Sequence, residues 1–246
     1  VYMTVLPAKM AQVKKIILVS PPDKQGLINP HILVVADLLK VDEIYRVGGA
    51  QGIAALAHGT KTIPRVDKIV GPGNIYVSEA KRQVFGLVDI DMIAGPTELV
   101  IIANRYSDPK FIIADLKAQT EHAGGLAVLI TNSKSLAKEV KSQCGDNPGF
   151  IILTKNLQQG IDITNKIAPE HLEILVRNPQ RLIKGIKNAG AIFLGPYSPT
   201  AVGDYVAGPS HVLPTGGTAR FFSGLSVFDF MKSSHIIGYS RKALDK

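Results

Sequence analysis

Short β-branched runs alternate with helical patterns at a steady pitch as far as Leu194. Lys15-Ile16-Ile17-Leu18-Val19 reads as a strand ended by Pro21-Pro22, and His31 to Lys40 as an apolar-faced helix after Asn29-Pro30. Ile44 to Val47 and Val66 to Val70 read as strands, Ala50 to His58 and Ile75 to Phe85 as helices. A second series starts at Leu99-Val100-Ile101-Ile102. In it, helices near 109–122, 134–143, 157–167 and 179–188 alternate with strands at 126–131, 150–154, 172–176 and 191–194. Continuous apolar strands are buried on both faces, and strand–helix alternation builds parallel βαβ units. The fold class is therefore α/β. A Gly-Pro break at Ala94-Gly95-Pro96-Thr97 separates the two series and predicts a domain boundary there. Beyond Gly195 the pattern gives way to Gly/Pro/Ser-rich chain; a long loop of this kind in a compact protein is often functional, and this one carries Asp204 and His211.

The 246 residues suffice for one large domain or two smaller ones, and 46% apolar with 20% charged residues excludes disorder as the main state. No apolar run approaches the roughly 20 residues of a transmembrane helix, so no membrane partner is expected. The first residues, Val1 to Pro7, have neither the basic region nor the cleavage site of a secretory signal. A chain opening on Val1 is expected to be processed or cut from something longer. The single cysteine, Cys144, favours a reducing compartment; the stretch Gln143 to Pro148 around it reads as a turn. It lacks a neighbouring imidazole or helix N-terminus, which argues against a nucleophile. Net charge is +8, and the densest basic stretch, Arg177, Arg181, Lys184 and Lys187, has the spacing of one helix face. Without interleaved aromatics it reads as a solvated face, so no nucleic acid is expected, although the charge favours small anions by steering.

Four constellations could carry chemistry. Gly48-Gly49-Ala50-Gln51-Gly52 and Gly71-Pro72-Gly73-Asn74 each follow a strand and open a helix, where backbone N–H groups and the macrodipole attract a pyrophosphate. Neither is a full G-x-G-x-x-G fingerprint, and glycine there also serves backbone geometry alone. Gln119 and His122 lie at i and i+3 on one helix face, with Gly124-Gly125 closing the helix. Taken alone, His122 suits a helix C-terminus; with Asp204 and His211 on the loop, the set offers N and O donors to zinc or another borderline metal. Ala168-Pro169-Glu170-His171 leads into the strand Leu172 to Val176. A carboxylate beside an imidazole can act as base and proton relay, but adjacent strand residues point to opposite faces unless the turn bends.

These segments together resemble the histidinol dehydrogenase family. The residues that carry the resemblance are Val47 to Ala57, Gly71 to Asn74 continuing through Glu79 to Val84, and Ile90-Asp91-Met92-Ile93-Ala94-Gly95-Pro96-Thr97-Glu98. They continue with Gln119 to His122, Ala168 to Glu173, Gly203-Asp204-Tyr205, and His211 to Thr215, in family order over almost the whole chain. The resemblance implies two incomplete Rossmann-like parallel-sheet domains in a cytoplasmic, zinc-dependent homodimer. It implies that L-histidinol is oxidised through L-histidinal to L-histidine, each step passing a hydride to NAD. By matching motif, Gln119, His122 and Asp204 fall on zinc-ligand positions, through which they also hold substrate. Glu170 and His171 fall on the catalytic pair, with Glu170 also against substrate. His211 and Thr97 fall on substrate-contacting positions, Gln51 and Asn74 on positions that touch NAD.

The domains expected on this basis are 1–96 for NAD, 97–230 for zinc and substrate, and 231–246 as the start of a C-terminal tail. The family's tail would supply a fourth zinc ligand, a histidine, which this sequence does not reach. Thr97 stands where many members have serine, and the stretch from His122 to Glu170 is short for the family. Two other readings use the same residues: an inactive fragment or catalytically dead homologue that keeps the fold, and a metal-dependent hydrolase built on Asp204, His122 and Glu170.

Overall fold

The structure, a computed structural model, describes residues 1–122, 124–145 and 149–245. It opens with helix α1 (Tyr2–Met10), which the sequence reading did not anticipate and which keeps Pro7 in its interior. Strand β1 (Ile17–Val19), helix α2 (Pro30–Leu38), strand β2 (Glu43–Tyr45) and helix α3 (Gly49–His58) follow, then strand β3 (Lys68–Ile69), helix α4 (Ile75–Val84) and strand β4 (Asp89–Ile90). The three strands read from the sequence are present but shortened, and β4 is additional. They pair in parallel as two separate two-stranded sheets, β1 with β2 and β3 with β4. Caps explain the helix starts. Asn29 accepts from His31 N–H ahead of Pro30, and Asn74 accepts from the N–H groups of Tyr76 and Val77. The core of this half is Ile53, Leu56, Ala57, Val84 and Val88.

The second half builds one five-stranded sheet. Its elements are β5 (Glu98–Ala103), α5 (Pro109–Thr120), β6 (Leu126–Thr131), α6 (Lys134–Gln143), β7 (Phe150–Leu153), α7 (Leu157–Ile167) and β8 (His171–Ile174). They continue with α8 (Gln180–Ile183), β9 (Ala191–Leu194), α9 (Thr200–Tyr205) and a last turn of helix, α10 (Arg241–Leu244). The strand order is β7-β6-β5-β8-β9 and every pairing is parallel, so the α/β expectation holds. The chain winds outward from β5 to β7, then crosses back through α7 to β8 on the other side of β5, which puts the topological switch at β5. Side chains alternate along β5. Leu99, Ile101 and Ala103 pack under α5 and α6, while Val100 and Ile102 join the cluster that includes Ile161 of α7. This two-sided burial is what the unbroken apolar run demanded.

Three local readings differ. Helix α8 is a single turn, Gln180–Ile183, where 179–188 was expected, and Gly185 follows it packed closely against Ile161. The loop after Gly195 contains α9, placed by contacts with the sheet rather than by its own sequence pattern. The turn expected over Gln143 to Pro148 lies partly outside the described residues, at 146–148. Cys144 is buried, and burial pushes its thiol pKa up, which agrees with a non-nucleophilic role. Among the described residues no helix is long and apolar enough to cross a membrane.

Candidate active site

Helix α7 ends in a left-handed turn at Ala168 (φ 52°), and Pro169 then holds the chain extended into β8. The bend answers the question that adjacent strand residues raise. It brings Glu170 Oε2 to 3.6 Å from His171 Nδ1, although the two residues are neighbours in sequence. Glu170 is buried, and its Oε2 also accepts the Glu98 N–H at 3.3 Å. The His171 ring lies tilted against Phe193 with centroids 5.9 Å apart, and its buried Nδ1 has no hydrogen-bond partner within reach. An imidazole beside a buried carboxylate is a pair that can serve as base and proton relay toward a ligand.

His171 lines a cavity of about 880 Å³ walled by α1, β9, α9 and the chain from Ala207 to Val227. Asp204 from α9 and His211 from the following loop face the same space. Their side chains are about half exposed, with His211 Nδ1 3.8 Å from Asp204 Oδ1 and 3.2 Å from the Asp204 carbonyl oxygen. The structure thus brings His171, Asp204 and His211 together from two distant stretches of chain.

The remaining candidates gather where strands begin. Gln119 lies in the last turn of α5, but the helix ends at Thr120 and is capped at Glu121, so His122 falls beyond it and the expected shared helix face is not formed. The Gly125 N–H donates to the His122 carbonyl at 2.9 Å in the turn that follows, not to the helix itself. Gln119 is buried, its amide Nε2 without a partner among the described residues, whereas His122 is exposed. Half-buried Thr97 directly precedes β5, and its carbonyl accepts the Leu126 N–H at 2.9 Å. Thr97, Gln119, His122, Glu170 and His171 therefore all lie at the amino edge of the five-stranded sheet. Ligands of open parallel sheets ordinarily bind at the carboxyl edge. Thr97, Gln119, His122 and Glu170 are not part of the cavity lining that holds Asp204 and His211.

Sequence reasoning missed two side chains that tie this region together. Thr215 Oγ1, buried, accepts the Gly95 N–H at 2.6 Å, and Glu98 Oε2 accepts the Gly217 N–H at 3.4 Å. They hold the Pro214-Thr215-Gly216-Gly217 loop against the segment leading into β5. Burial pushes the Glu98 pKa up, opposed by the Gly217 amide, and the nearby Glu170 carboxylate adds to the rise. Glu98 closes a segment the sequence reading had singled out, and an acid at the first position of an otherwise apolar strand was the available signal.

Two strand-to-helix turns lie in the first half. Gly48 comes so close to Pro21 that a Cβ would sit 2.7 Å from its ring, and Gly49 (φ 67°) opens α3 beside the exposed Gln51. The Asn74 carbonyl is committed to capping α4, which leaves its amide NH₂ as the end a ligand can meet. Uncapped amides at the start of α3 and a donor at the start of α4 suit the phosphates of a dinucleotide. Metal donors fit in kind: an imidazole, a carboxylate and the partnerless amide of Gln119, whose oxygen and nitrogen ends are interchangeable by a flip. Among the described residues no three His, Cys, Asp or Glu side chains cluster closely enough to hold an ion, so such a set rests on two of them and the amide.

Comparison with known proteins shows the family. The family model described as histidinol dehydrogenase matches residues 1–246. The histidinol dehydrogenase of Listeria monocytogenes serovar 1/2a is 54% identical over 263 aligned residues, covering 100% of this chain and 61% of its own length. That of Bacillus cereus is 53% identical, covering 99% and 61%. The crystal structure of histidinol dehydrogenase from Elizabethkingia anophelis superposes with a TM-score of 0.92 at 36% identity, over 99% of this chain and 61% of that one. The chain spans about three-fifths of the length of these relatives. With a family match over all its residues, and the quoted segments at one sheet edge and two helix starts, the chain belongs to the histidinol dehydrogenase family.

Proposed function

We propose that this chain carries the core of an NAD-linked, zinc-assisted oxidation of L-histidinol to L-histidine through L-histidinal, in the cytoplasm and as part of a homodimer. Residues 1–96 would serve NAD and 97–230 zinc and substrate, with 231–246 beginning a C-terminal tail. The observation that carries the reading is the Glu170–His171 pair, bent together so that His171 lines the cavity that holds Asp204 and His211 while Glu170 lies buried behind it. Gln119, His122 and Asp204 would hold zinc, which would supply a Lewis acid for the amino and imidazole nitrogens of the substrate, and NAD, when bound, would supply the hydride acceptor. His171 takes the hydroxyl proton of histidinol as hydride leaves the carbinol carbon, giving the aldehyde. Glu170 then takes a proton from the water that adds to the aldehyde, and the hydrate loses the second hydride to give the carboxylate. Thr97 and His211 position the substrate, and Gln51 and Asn74 hold the dinucleotide.

The test is NADH formation, followed by absorbance, from histidinol, NAD and zinc with the wild type and with His171→Asn. Turnover that persists unchanged in His171→Asn removes His171 from the chemistry. A second reading, a core that keeps the fold and binds ligand without turnover, is favoured by the sparse donor set. Ligand binding without NADH formation would select it. No distance in the structure supports the hydrolase reading.

A further inference from the structure

We propose that Lys81 and Asp91 are positioning residues: a buried ion pair that grips both polar groups of Gly71 and so sets the Gly71–Asn74 loop for a dinucleotide. The inference rests on the NAD reading above and deepens it. Both side chains are almost fully enclosed, 3% and 1% exposed. Lys81 Nζ, on α4, donates to the Asp91 carboxylate and to the Gly71 carbonyl oxygen, the latter at 3.0 Å. Asp91 Oδ2 accepts the Gly71 N–H at 2.7 Å, and its Oδ1 accepts the Met92 N–H at 2.7 Å. Gly71 itself adopts φ 128°, a conformation that L side chains rarely take.

Stability alone does not call for charge at this place. A buried ion pair loses hydration, and an apolar pair of similar volume would often stabilise the fold as well or better. What an apolar pair could not supply is directed bonds to one N–H and one C=O of the same residue. Pro72, Gly73 and Asn74 beyond it are exposed, so the loop takes its shape from its two anchored ends, Gly71 and the Asn74 cap. The clamp also reaches toward the catalytic edge. One turn before Lys81, Ser78 Oγ donates to the Ala94 carbonyl at 3.0 Å, and that segment runs on to Thr97. The pair thus fixes the nucleotide loop relative to the chain that enters β5.

The experiment uses the full natural chain with zinc and compares wild type, Lys81→Met, Asp91→Asn and the double variant. Dissociation constants for NAD by calorimetry, KM for NAD and for histidinol, melting temperature, and amide exchange at 71–74 are measured. Because a single variant leaves one buried charge unpaired, its fold is expected to weaken. The double variant removes both charges while the amide at 91 still accepts the Gly71 N–H, so melting is expected to recover toward wild type. NAD binding is expected to stay about 10- to 100-fold weaker, as for a misplaced binding group, with KM for histidinol within about twofold and faster exchange at 71–74. A double variant that melts and binds NAD like wild type overturns the proposal. So does a parallel rise of both KM values that tracks melting temperature, the mark of a purely structural pair. If wild type binds no NAD while exchange at 71–74 still quickens in the double variant, the nucleotide reading fails and the clamp on the loop stands.

Discussion

Glu173 has no exposed surface, yet it sits among the apolar side chains of β8. Its Oε1 accepts the Thr200 N–H at 3.0 Å, fastening the start of α9 over the sheet, while Oε2 has no partner. Burial, and then the neighbouring Asp115 carboxyl, push its pKa up to about 8. The unfolded chain loses this proton near the ordinary value of 4.5, and the folded chain keeps it to about 8. Across that window the native state binds more protons, so this group's contribution to stability falls as pH rises from 4.5 to 8. Thermal melts between pH 5 and 8 are expected to show that decline weakened in Glu173→Gln; an unchanged slope rules out Glu173 as its source. At the proposed catalytic pair, His171→Asn is expected to lower histidinol oxidation by about 10²–10⁴-fold with folding intact, measured by NADH formation and circular dichroism. Glu170→Gln is expected to slow histidinal oxidation more than histidinol oxidation, since only the second step consumes water. Equal losses in the two half-reactions would remove that division of labour. Glu170 and His171 were legible in the sequence as an adjacent acid and imidazole. Their approach across a bend was not, because it depends on a left-handed turn at Ala168, a non-glycine residue that no local signal marks.

At the scale of elements, β5 carries the sheet. Ile101 is fully buried between α5 and its neighbouring strands, so Ile101→Ala is expected to cost about 2–5 kcal/mol, read from urea unfolding. Helix α4 depends on its cap, and Asn74→Ala, which loses two accepted N–H bonds, is expected to cost about 1 kcal/mol and to weaken NAD binding as well. Loss of NAD affinity without loss of stability would separate the two duties. The strands of the large sheet were legible because parallel burial on two faces leaves unbroken apolar runs. Helices α1 and α9 and strand β4 were not. Each is short, and each is held by partners far along the chain: the Ser210 hydroxyl on the Met3 carbonyl, Glu173 on Thr200, and β3 beside β4.

For the whole molecule, metal binding is the sharpest expectation. One imidazole, one carboxylate and a neutral amide make a weak set for zinc. On the proposed reading, the 246-residue chain is therefore expected to hold well under one zinc after dialysis, and a longer protein that adds a further histidine ligand is expected to hold about one per subunit. Elemental analysis of both proteins checks it, and stoichiometric zinc in this chain would mean that another residue completes the site. The sequence by itself determined the α/β class, the parallel pairing and the residue types of the candidate site. Those follow from periodicities of 2 and 3.6 and from short motifs, which act within about ten residues along the chain. Only the tertiary structure decided that Thr97, Gln119, His122, Glu170 and His171 gather at the amino edge of the sheet. It alone joined Thr215 to Gly95 and Glu98 to Glu170 and Gly217, and buried Lys81 against Asp91. The physical reason is that a buried polar group must find its partner wherever packing brings one, and no local pattern encodes which distant residue that will be.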